Sequence, residues 1–275
     1  MHRLRFHFHR IGDQVAATPF PENWFHARGE KLIIADERIW AFRHNPYVVF
    51  ASEEEAARHP AIDVIPDCRV EEHMKNYARL TNALAAASQA EFMGLNAGIA
   101  EVKLRHPRLY VHEDARIVPD KVVVHTTGSD RTRDDEAPIR TGAGEDAVRV
   151  MSDEVIASIL RNYADWQVVQ VGAATDKPLG GNSIDRRGRC DYLETAAEIA
   201  SAARFIGVNS GPMHLANCYP RVDKRIVLME FPRATLFKLR PGDIRNWLLS
   251  WIDPASMLFN RFEHDVGLTH SHTKI

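Results

Sequence analysis

Apolar and polar residues follow two different periods along this chain. Every second residue across positions 4–9 is apolar, which is the period of a β-strand. Short apolar runs bounded by polar or turn-forming residues predict further buried strands. These runs lie at positions 31–35, 47–50, 62–65, 122–124, 168–171, 204–208 and 226–229. The chain therefore contains many short strands separated by longer stretches.

Most of those longer stretches have the 3.6-residue period of an amphipathic helix. Helices are predicted at 71–87, 155–163, 191–203, 211–217 and 243–251, with a shorter helical stretch at 13–18 that ends before two prolines. Two of them carry start signals, because Ser152 is a suitable N-cap and Asp191 with Glu194 forms a capping-box pattern. Strands that alternate with helices indicate βαβ units and parallel sheets.

The alternation occurs in two runs, separated by a polar segment at 105–120 that contains Pro107 and Pro119. We therefore expect an α/β fold with two Rossmann-like domains, 1–118 and 119–275, whose parallel sheets face each other across a cleft. Ligands of such sheets bind outside the carboxyl ends of the strands. The segment 129–145, which is rich in charge, Gly and Thr, is expected to be a loop at the rim of the cleft.

Composition narrows the class of protein. The chain has 275 residues, 45% of them hydrophobic, and a formal net charge of −2, so it is globular and no nucleic-acid partner is expected. Three cysteines without paired spacing favour a reducing compartment, and no apolar run has the length of a signal peptide or a membrane span. We expect a cytoplasmic protein, with peripheral contact at the inner membrane left open.

A phosphate-binding turn is predicted where strand 204–208 meets helix 211–217. The connecting Asn209, Ser210 and Gly211 form a tight turn, and Pro212 stands just inside the helix, where its missing N–H costs nothing. The free N–H groups and positive dipole of a helix start favour an anion there. Ser210 and His214 add side-chain donors. A plain strand-to-helix turn is the structural alternative.

This segment resembles a motif of glycosyltransferase family 9, the ADP-heptose:lipopolysaccharide heptosyltransferases of the GT-B fold. The matching residues are 206–216, with the sequence Ile-Gly-Val-Asn-Ser-Gly-Pro-Met-His-Leu-Ala. A second similarity lies at 11–19, Ile-Gly-Asp-Gln-Val-Ala-Ala-Thr-Pro, and a third, weaker one at 124–129, Val-His-Thr-Thr-Gly-Ser. The family usually has Asp at position 209, and a Lys followed by Trp after the third motif, both of which this chain lacks.

The resemblance implies an inverting, metal-independent transferase that moves a sugar, heptose by analogy, from a nucleotide-diphosphate donor to a hydroxyl of a glycan or another acceptor. It implies no cofactor, with ADP-heptose as the donor substrate. Asp13 is expected to be the catalytic base, and Gly12 and Thr18 are expected on the acceptor side. The nucleotide and diphosphate are expected to contact the following residues: Thr126, Thr127, Ser129, Arg131, Asn209, Ser210, Gly211, Pro212, Met213 and His214.

Asp13 also fits this role on chemical grounds, because inverting transfer needs a base for the proton of the attacking hydroxyl. Its structural alternative is an N-cap of the helix that follows. Two other functions stay open: a nucleotide-sugar or ADP-binding module without turnover, which the departures at Asn209 and in 130–135 motivate, and an epimerase or phosphorylase on a similar frame. Paired histidines at 7 and 9 and at 270 and 272 lack a third ligand, so no metal site is predicted.

Overall fold

A computed structural model of the chain describes residues 1–6, 10–64, 93–94, 97–99, 101–104, 106–128, 150–208, 210–228 and 257–259, the backbone alone at 226–228 and 257–259. The predicted helices at 71–87 and 243–251 and the loop at 129–145 lie outside these residues. The chain divides into two compact units, one containing Met1–Val111 and the other beginning at His112. Each unit is built on a parallel β-sheet.

The first unit has four strands and three α-helices among its described residues. In chain order these are β1 (His2–Phe6), α1 (Ile11–Ala17), α2 (Phe20–Arg28), β2 (Leu32–Ile34), a 3₁₀ turn (Trp40–Phe42), β3 (Val48–Phe50), α3 (Glu53–Ala56) and β4 (Ala61–Val64). The sheet order is β3-β2-β1-β4, and each neighbouring pair is parallel. The chain therefore leaves β1 toward one side through β2 and β3 and returns on the other side as β4.

The first predicted helix ends before Pro19 as expected, since α1 ends at Ala17, and a further helix that the sequence did not predict, α2, begins at the two prolines. Pro19 is the N-cap residue of α2 and Pro21 lies in its first turn. The N–H groups of a first turn have no partner within the helix, so proline is tolerated there. The helix ends at Gly29, whose left-handed φ of 72° suits glycine. The two prolines therefore mark both the end of α1 and the start of α2.

The second unit contains six strands and three helices among its described residues. They are β5 (Val118–His125), α4 (Asp153–Asn162), β6 (Gln167–Gln170), β7 (Ile184–Asp185), α5 (Tyr192–Ala200), β8 (Ala202–Val208), α6 (Gly211–Asn217), β9 (Asp223–Leu228) and β10 (Met257–Phe259). The sheet order is β10-β9-β8-β5-β6-β7, and all neighbouring pairs are parallel. This is the doubly wound order in which the first strand of the unit, β5, lies at the centre.

The predicted helix starts in this unit are confirmed. The Ser152 hydroxyl accepts the N–H of Val155, and Asp191 and Glu194 form the complete capping box of α5. The side chains of β5 and β8 pack against α4 in a core that includes Val124, Ile159 and Ile206. Burial of this apolar surface fixes the central strands and thereby the positions of the loops that follow them. Across the residues that the structure describes, no helix is long and apolar enough to span a bilayer.

Candidate functional site

The order of strands in the second sheet marks the place where a ligand would bind. From β5 the chain moves outward through β6 and β7, and later returns to pair β8 with the other side of β5. A crevice opens at the carboxyl ends of the strands where the winding direction reverses, and α/β proteins bind ligands there. In this unit the reversal lies between β5 and β8. Among the described residues, 126–128 follow β5, and Ser210 with the start of α6 follows β8.

The fold thus brings two of the sequence-predicted groups to one edge of the sheet. Thr126 and Thr127 follow β5 directly, and Ser210 with the start of α6 follows β8. The two strands are hydrogen-bonded neighbours, with His125 opposite Gly207. Residues that lie far apart in sequence therefore leave the sheet side by side at the reversal of its winding.

His125 links these segments, and the sequence reasoning did not single it out. His125 is the last residue of β5 and is only 4% exposed. Nδ1 of the imidazole lies 2.9 Å from Oγ of Ser210, and Nε2 lies 3.2 Å from Oδ2 of Asp176. Of these three buried side chains, one belongs to the last residue of β5 and the other two to the segments that follow β8 and β6. The signal that could have revealed His125 is a polar residue directly after the apolar run 122–124.

Asp176 is held in place by its own loop. Its Oδ2 accepts the main-chain N–H of Ala173 at 2.9 Å, and its main-chain carbonyl accepts a hydrogen bond from the guanidinium of Arg187. The same guanidinium pairs with the carboxylate of Asp185 at the end of β7. Arg187 thereby ties the loop after β6 to the edge strand of the sheet.

The two threonines after β5 have different environments. Thr126 is fully buried, where its hydroxyl donates to the carbonyl of Lys177 at 2.6 Å and lies 3.1 Å from Nε2 of Gln170, which donates to it. Thr127 is half-buried, and its hydroxyl accepts the N–H of Lys177 at 2.9 Å. Both hydroxyls position the loop after β6. Their predicted contact with a nucleotide stays a prediction, and Thr127 has the more accessible side chain.

Ser210 is the N-cap residue of α6, but its hydroxyl does not cap the helix. Oγ instead donates to the carbonyl of Val208 at 3.0 Å and faces His125.

Pro212 lies in the first turn of α6, as the sequence predicts. Gly211 and Pro212 are half-buried, whereas Met213 and His214 are buried. The first two residues of α6 are thus more exposed than the two that follow them.

In the first unit, Asp13 lies in the helix that follows the first strand of the sheet, β1. The winding of its sheet reverses between β1 and β4, and α1 follows β1. Asp13 lies in the first turn of α1 and is 8% exposed, with the half-buried Gly12 before it. The N-cap position belongs to Arg10, so the alternative interpretation of Asp13 as an N-cap is wrong.

Thr18, predicted on the acceptor side, is fully buried. Its hydroxyl donates to the carbonyl of Val15 at 2.6 Å and accepts the N–H of Arg108 at 2.9 Å. These bonds connect α1 to a distant segment of the same unit, and the acceptor-side role stays a prediction. Three other predicted residues, Ser129, Arg131 and Asn209, lie outside the described part of the chain.

Several solved structures share this architecture. A family 9 glycosyltransferase from Veillonella parvula is similar with a TM-score of 0.55 and 10% sequence identity, over 92% of this chain and 90% of that one. The chain has the fold of family 9 glycosyltransferases. The heptosyltransferase WaaC of E. coli has a TM-score of 0.51 and 12% identity, over 91% of this chain and 99% of that one. No protein-family model and no curated protein sequence matches the chain.

A larger relative in structure is TibC, an iron-containing dodecameric glycosyltransferase from enterotoxigenic E. coli. The similarity has a TM-score of 0.58 and 15% identity, and it covers 98% of this chain but 66% of TibC. The resemblance stated from the sequence is therefore confirmed at the level of the fold, which is α/β and GT-B-like with two parallel sheets. Structural similarity at such low sequence identity establishes the fold alone.

Proposed function

We propose that this protein transfers a glycosyl group from a nucleoside diphosphate-sugar to a hydroxyl acceptor. The observation that carries the proposal is the position of Thr127 and Ser210 on either side of the winding reversal in a sheet with the family 9 fold. Structural neighbours support a nucleotide-sugar donor, since WaaC was solved with ADP and TibC with ADP-D-β-D-heptose. ADP-heptose is accordingly the first donor to test.

In the proposed reaction, an acceptor oxygen attacks the anomeric carbon while the bond from that carbon to the diphosphate breaks. Asp13 takes the proton of the attacking hydroxyl, which requires a carboxylate in its ionised form. The leaving diphosphate gains negative charge, and hydrogen-bond donors fixed in advance stabilise it most effectively. The hydroxyl of Ser210 and the main-chain N–H of Gly211 are the proposed donors. A single displacement of this kind inverts the anomeric centre.

Metal independence is part of the proposal, because main-chain and side-chain donors would carry the charge of the leaving group. The cytoplasmic location and the peripheral contact with a membrane remain predictions. The acceptor is any glycan or other hydroxyl that reaches Asp13.

The decisive test measures the release of ADP from ADP-heptose, and of UDP or GDP from their hexose conjugates, with a panel of hydroxyl acceptors. Asp13→Asn should lower the rate by about 10²- to 10⁴-fold and leave ADP affinity unchanged, because only the base is lost. Glu54→Gln is the matched control: this carboxylate belongs to the same unit, is largely exposed and pairs with Arg58. Full activity of Asp13→Asn would exclude Asp13 as the base.

A second function, a nucleotide-binding module without turnover, is favoured by one observation. Family members usually have Asp where this chain has Asn209, and they usually carry Lys and Trp where it has 130–135 without either. The same experiment distinguishes the two functions. Tight binding of ADP with no product from any donor and acceptor would favour the binding module, whereas a new glycosidic bond would exclude it.

A further inference from the structure

We propose that His125, oriented by Asp176, is a positioning residue that holds the Ser210 hydroxyl in place for the diphosphate of the donor. The inference rests on the proposed function and adds to it two residues and their mode of action. Neither residue need touch the donor. Both act through Ser210, to which the imidazole is bonded at 2.9 Å.

Asp176 determines how the imidazole ring is presented. An ionised carboxylate only accepts hydrogen bonds, and Oδ2 of Asp176 accepts from Ala173 and lies 3.2 Å from Nε2 of His125. The Nε2 atom therefore carries a proton whether the ring is neutral or cationic. This fixes the ring so that Nδ1 always faces Ser210. Such a buried carboxylate–histidine pair sets the orientation of an imidazole with little freedom.

The hydroxyl of Ser210 is constrained by position but retains a choice of acceptor. Its Oγ lies within hydrogen-bond distance of both Nδ1 of His125 and the carbonyl of Val208, and it makes no bond to its own helix. A phosphate oxygen accepts hydrogen bonds only, so it binds Ser210 when the hydroxyl proton turns toward it. The ring and the carbonyl keep Oγ in place before a ligand arrives, and on binding the single hydroxyl proton exchanges one of these acceptors for a phosphate oxygen, so little side-chain freedom is lost at that moment.

A purely structural role is the rival explanation, since all three side chains are buried and mutually satisfied. Lys121 provides a control for it. This residue lies on the same strand as His125 and is also buried, with Nζ at 2.6 Å from Glu198 and 2.8 Å from Ser201. Substituting Lys121 disturbs a buried polar cluster of the same unit that does not include Ser210. It therefore reports what loss of stability alone does to ligand binding.

The experiment is a double-mutant cycle on the affinity for ADP, measured by calorimetry with the full chain. Ser210→Ala should weaken ADP binding by about 10- to 100-fold, the loss expected for a hydrogen bond to a charged group. His125→Ala should weaken it by about 10-fold, and the double variant should bind no worse than Ser210→Ala. Independent residues would instead multiply their effects.

Three further variants keep the test sharp if His125→Ala fails to fold. His125→Asn retains a polar side chain toward Ser210 and should recover part of the affinity lost in His125→Ala. Asp176→Asn should weaken ADP binding in the wild-type background and have no effect in the Ser210→Ala background. Lys121→Met should lower the melting temperature and leave the affinity for ADP unchanged.

The outcomes separate this inference from the proposed function. Non-additive effects of His125 and Ser210 in a protein that binds ADP support the positioning role. Multiplicative effects, or an equal loss of affinity in Lys121→Met, overturn it and leave the proposed function standing. If the wild type binds none of ADP, UDP and GDP, the proposed function fails and this inference fails with it.

Discussion

Gly172 gives the carboxylate of Asp176 the space it occupies beside His125. Gly172 has a φ of +133°, and a Cβ atom placed on it would lie 2.1 Å from Oδ2 of Asp176 and 2.9 Å from Cδ2 of His125. Both the backbone conformation and the available volume therefore require glycine at this position. The pair formed by the imidazole and the carboxylate depends on a residue that has no side chain.

We expect Gly172→Ala to destabilise the protein by about 1–3 kcal/mol, through backbone strain and displacement of Asp176. Gly180→Ala is the matched control, because Gly180 also has a positive φ, +74°, but no atom within 4 Å of its added Cβ. Chemical denaturation of the two variants measures the difference. Equal losses would mean that the contact with Asp176 contributes nothing beyond backbone strain.

Asn23 joins α2 to a distant segment of the first unit, and its side-chain amide donates two hydrogen bonds and accepts two. Nδ2 donates to the carbonyls of Pro19 and Leu104, at 2.9 and 2.7 Å, and Oδ1 accepts the N–H groups of Lys103 and Leu104, at 2.9 and 3.0 Å. The side chain is buried.

Asn23→Asp should therefore cost about 2–4 kcal/mol, although it preserves the shape of the side chain. The substitution replaces two donors with an oxygen that faces two carbonyl oxygens. Asn162→Asp, at an exposed position of α4, is the comparison and should change stability by less than about 0.5 kcal/mol. Urea unfolding at neutral pH provides the measurement, and a small effect at Asn23 would contradict the hydrogen-bond assignment.

Asp185 makes the stability of the second unit depend on pH in the acidic range. The guanidinium of Arg187 donates hydrogen bonds to this carboxylate and lowers its pKa to about 2. A carboxyl pKa below its unfolded value contributes stability that is present above the unfolded value, near 4, and is lost as pH falls toward 2. Because the Asp185 side chain is exposed to solvent, the contribution is below about 1 kcal/mol.

Asp185→Asn should accordingly lower the melting temperature slightly at pH 6, and the difference from wild type should shrink between pH 4 and pH 2. Thermal unfolding followed by circular dichroism at several pH values tests this. A difference in melting temperature that stays constant from pH 6 to pH 2 would contradict the lowered pKa of Asp185.

The capping box of α5 predicts a further loss of stability. Asp191 accepts the N–H of Glu194 at 2.8 Å, and Glu194 accepts the N–H of Asp191 at 2.8 Å. Asp191→Ala should cost about 1 kcal/mol and Asp191→Asn much less, because asparagine caps helices about as well. Guanidinium denaturation of both variants measures the costs, and equal losses would assign the effect to charge rather than to capping.

Sequence patterns predicted those parts of the fold that local residues determine. Helix α6 has the predicted bounds, Gly211–Asn217, because a strand, a small-residue turn and Pro212 specify its start. The two-residue strand β7, Ile184–Asp185, was not predicted, since it is too short to show a period and exists by pairing with β6. Strand β5 begins at Val118, before the apolar run, because Val118 lies opposite Ala202 of β8.

The candidate site was predictable only where it follows a contiguous motif. Ser210 was found because it sits in an eleven-residue pattern, and the fold then placed it beside β5. The pairing of His125 with Asp176 was not foreseeable, because no local period relates the ends of two strands that meet only in the folded sheet. The turn was therefore predictable from the sequence, whereas the side chains that support it come together only in the folded protein.

The imidazole of His125 connects the end of β5 with the loops that follow β8 and β6, so occupancy at one loop has a consequence at the other. A ligand that binds Ser210 changes the hydrogen bond between this hydroxyl and the ring, the ring lies against the carboxylate of Asp176, and that carboxylate accepts the amide hydrogen of Ala173. The rate of hydrogen–deuterium exchange at this amide should therefore differ between the free and the ligand-bound protein. The amide of Ala173 can thus report whether the neighbouring crevice is occupied.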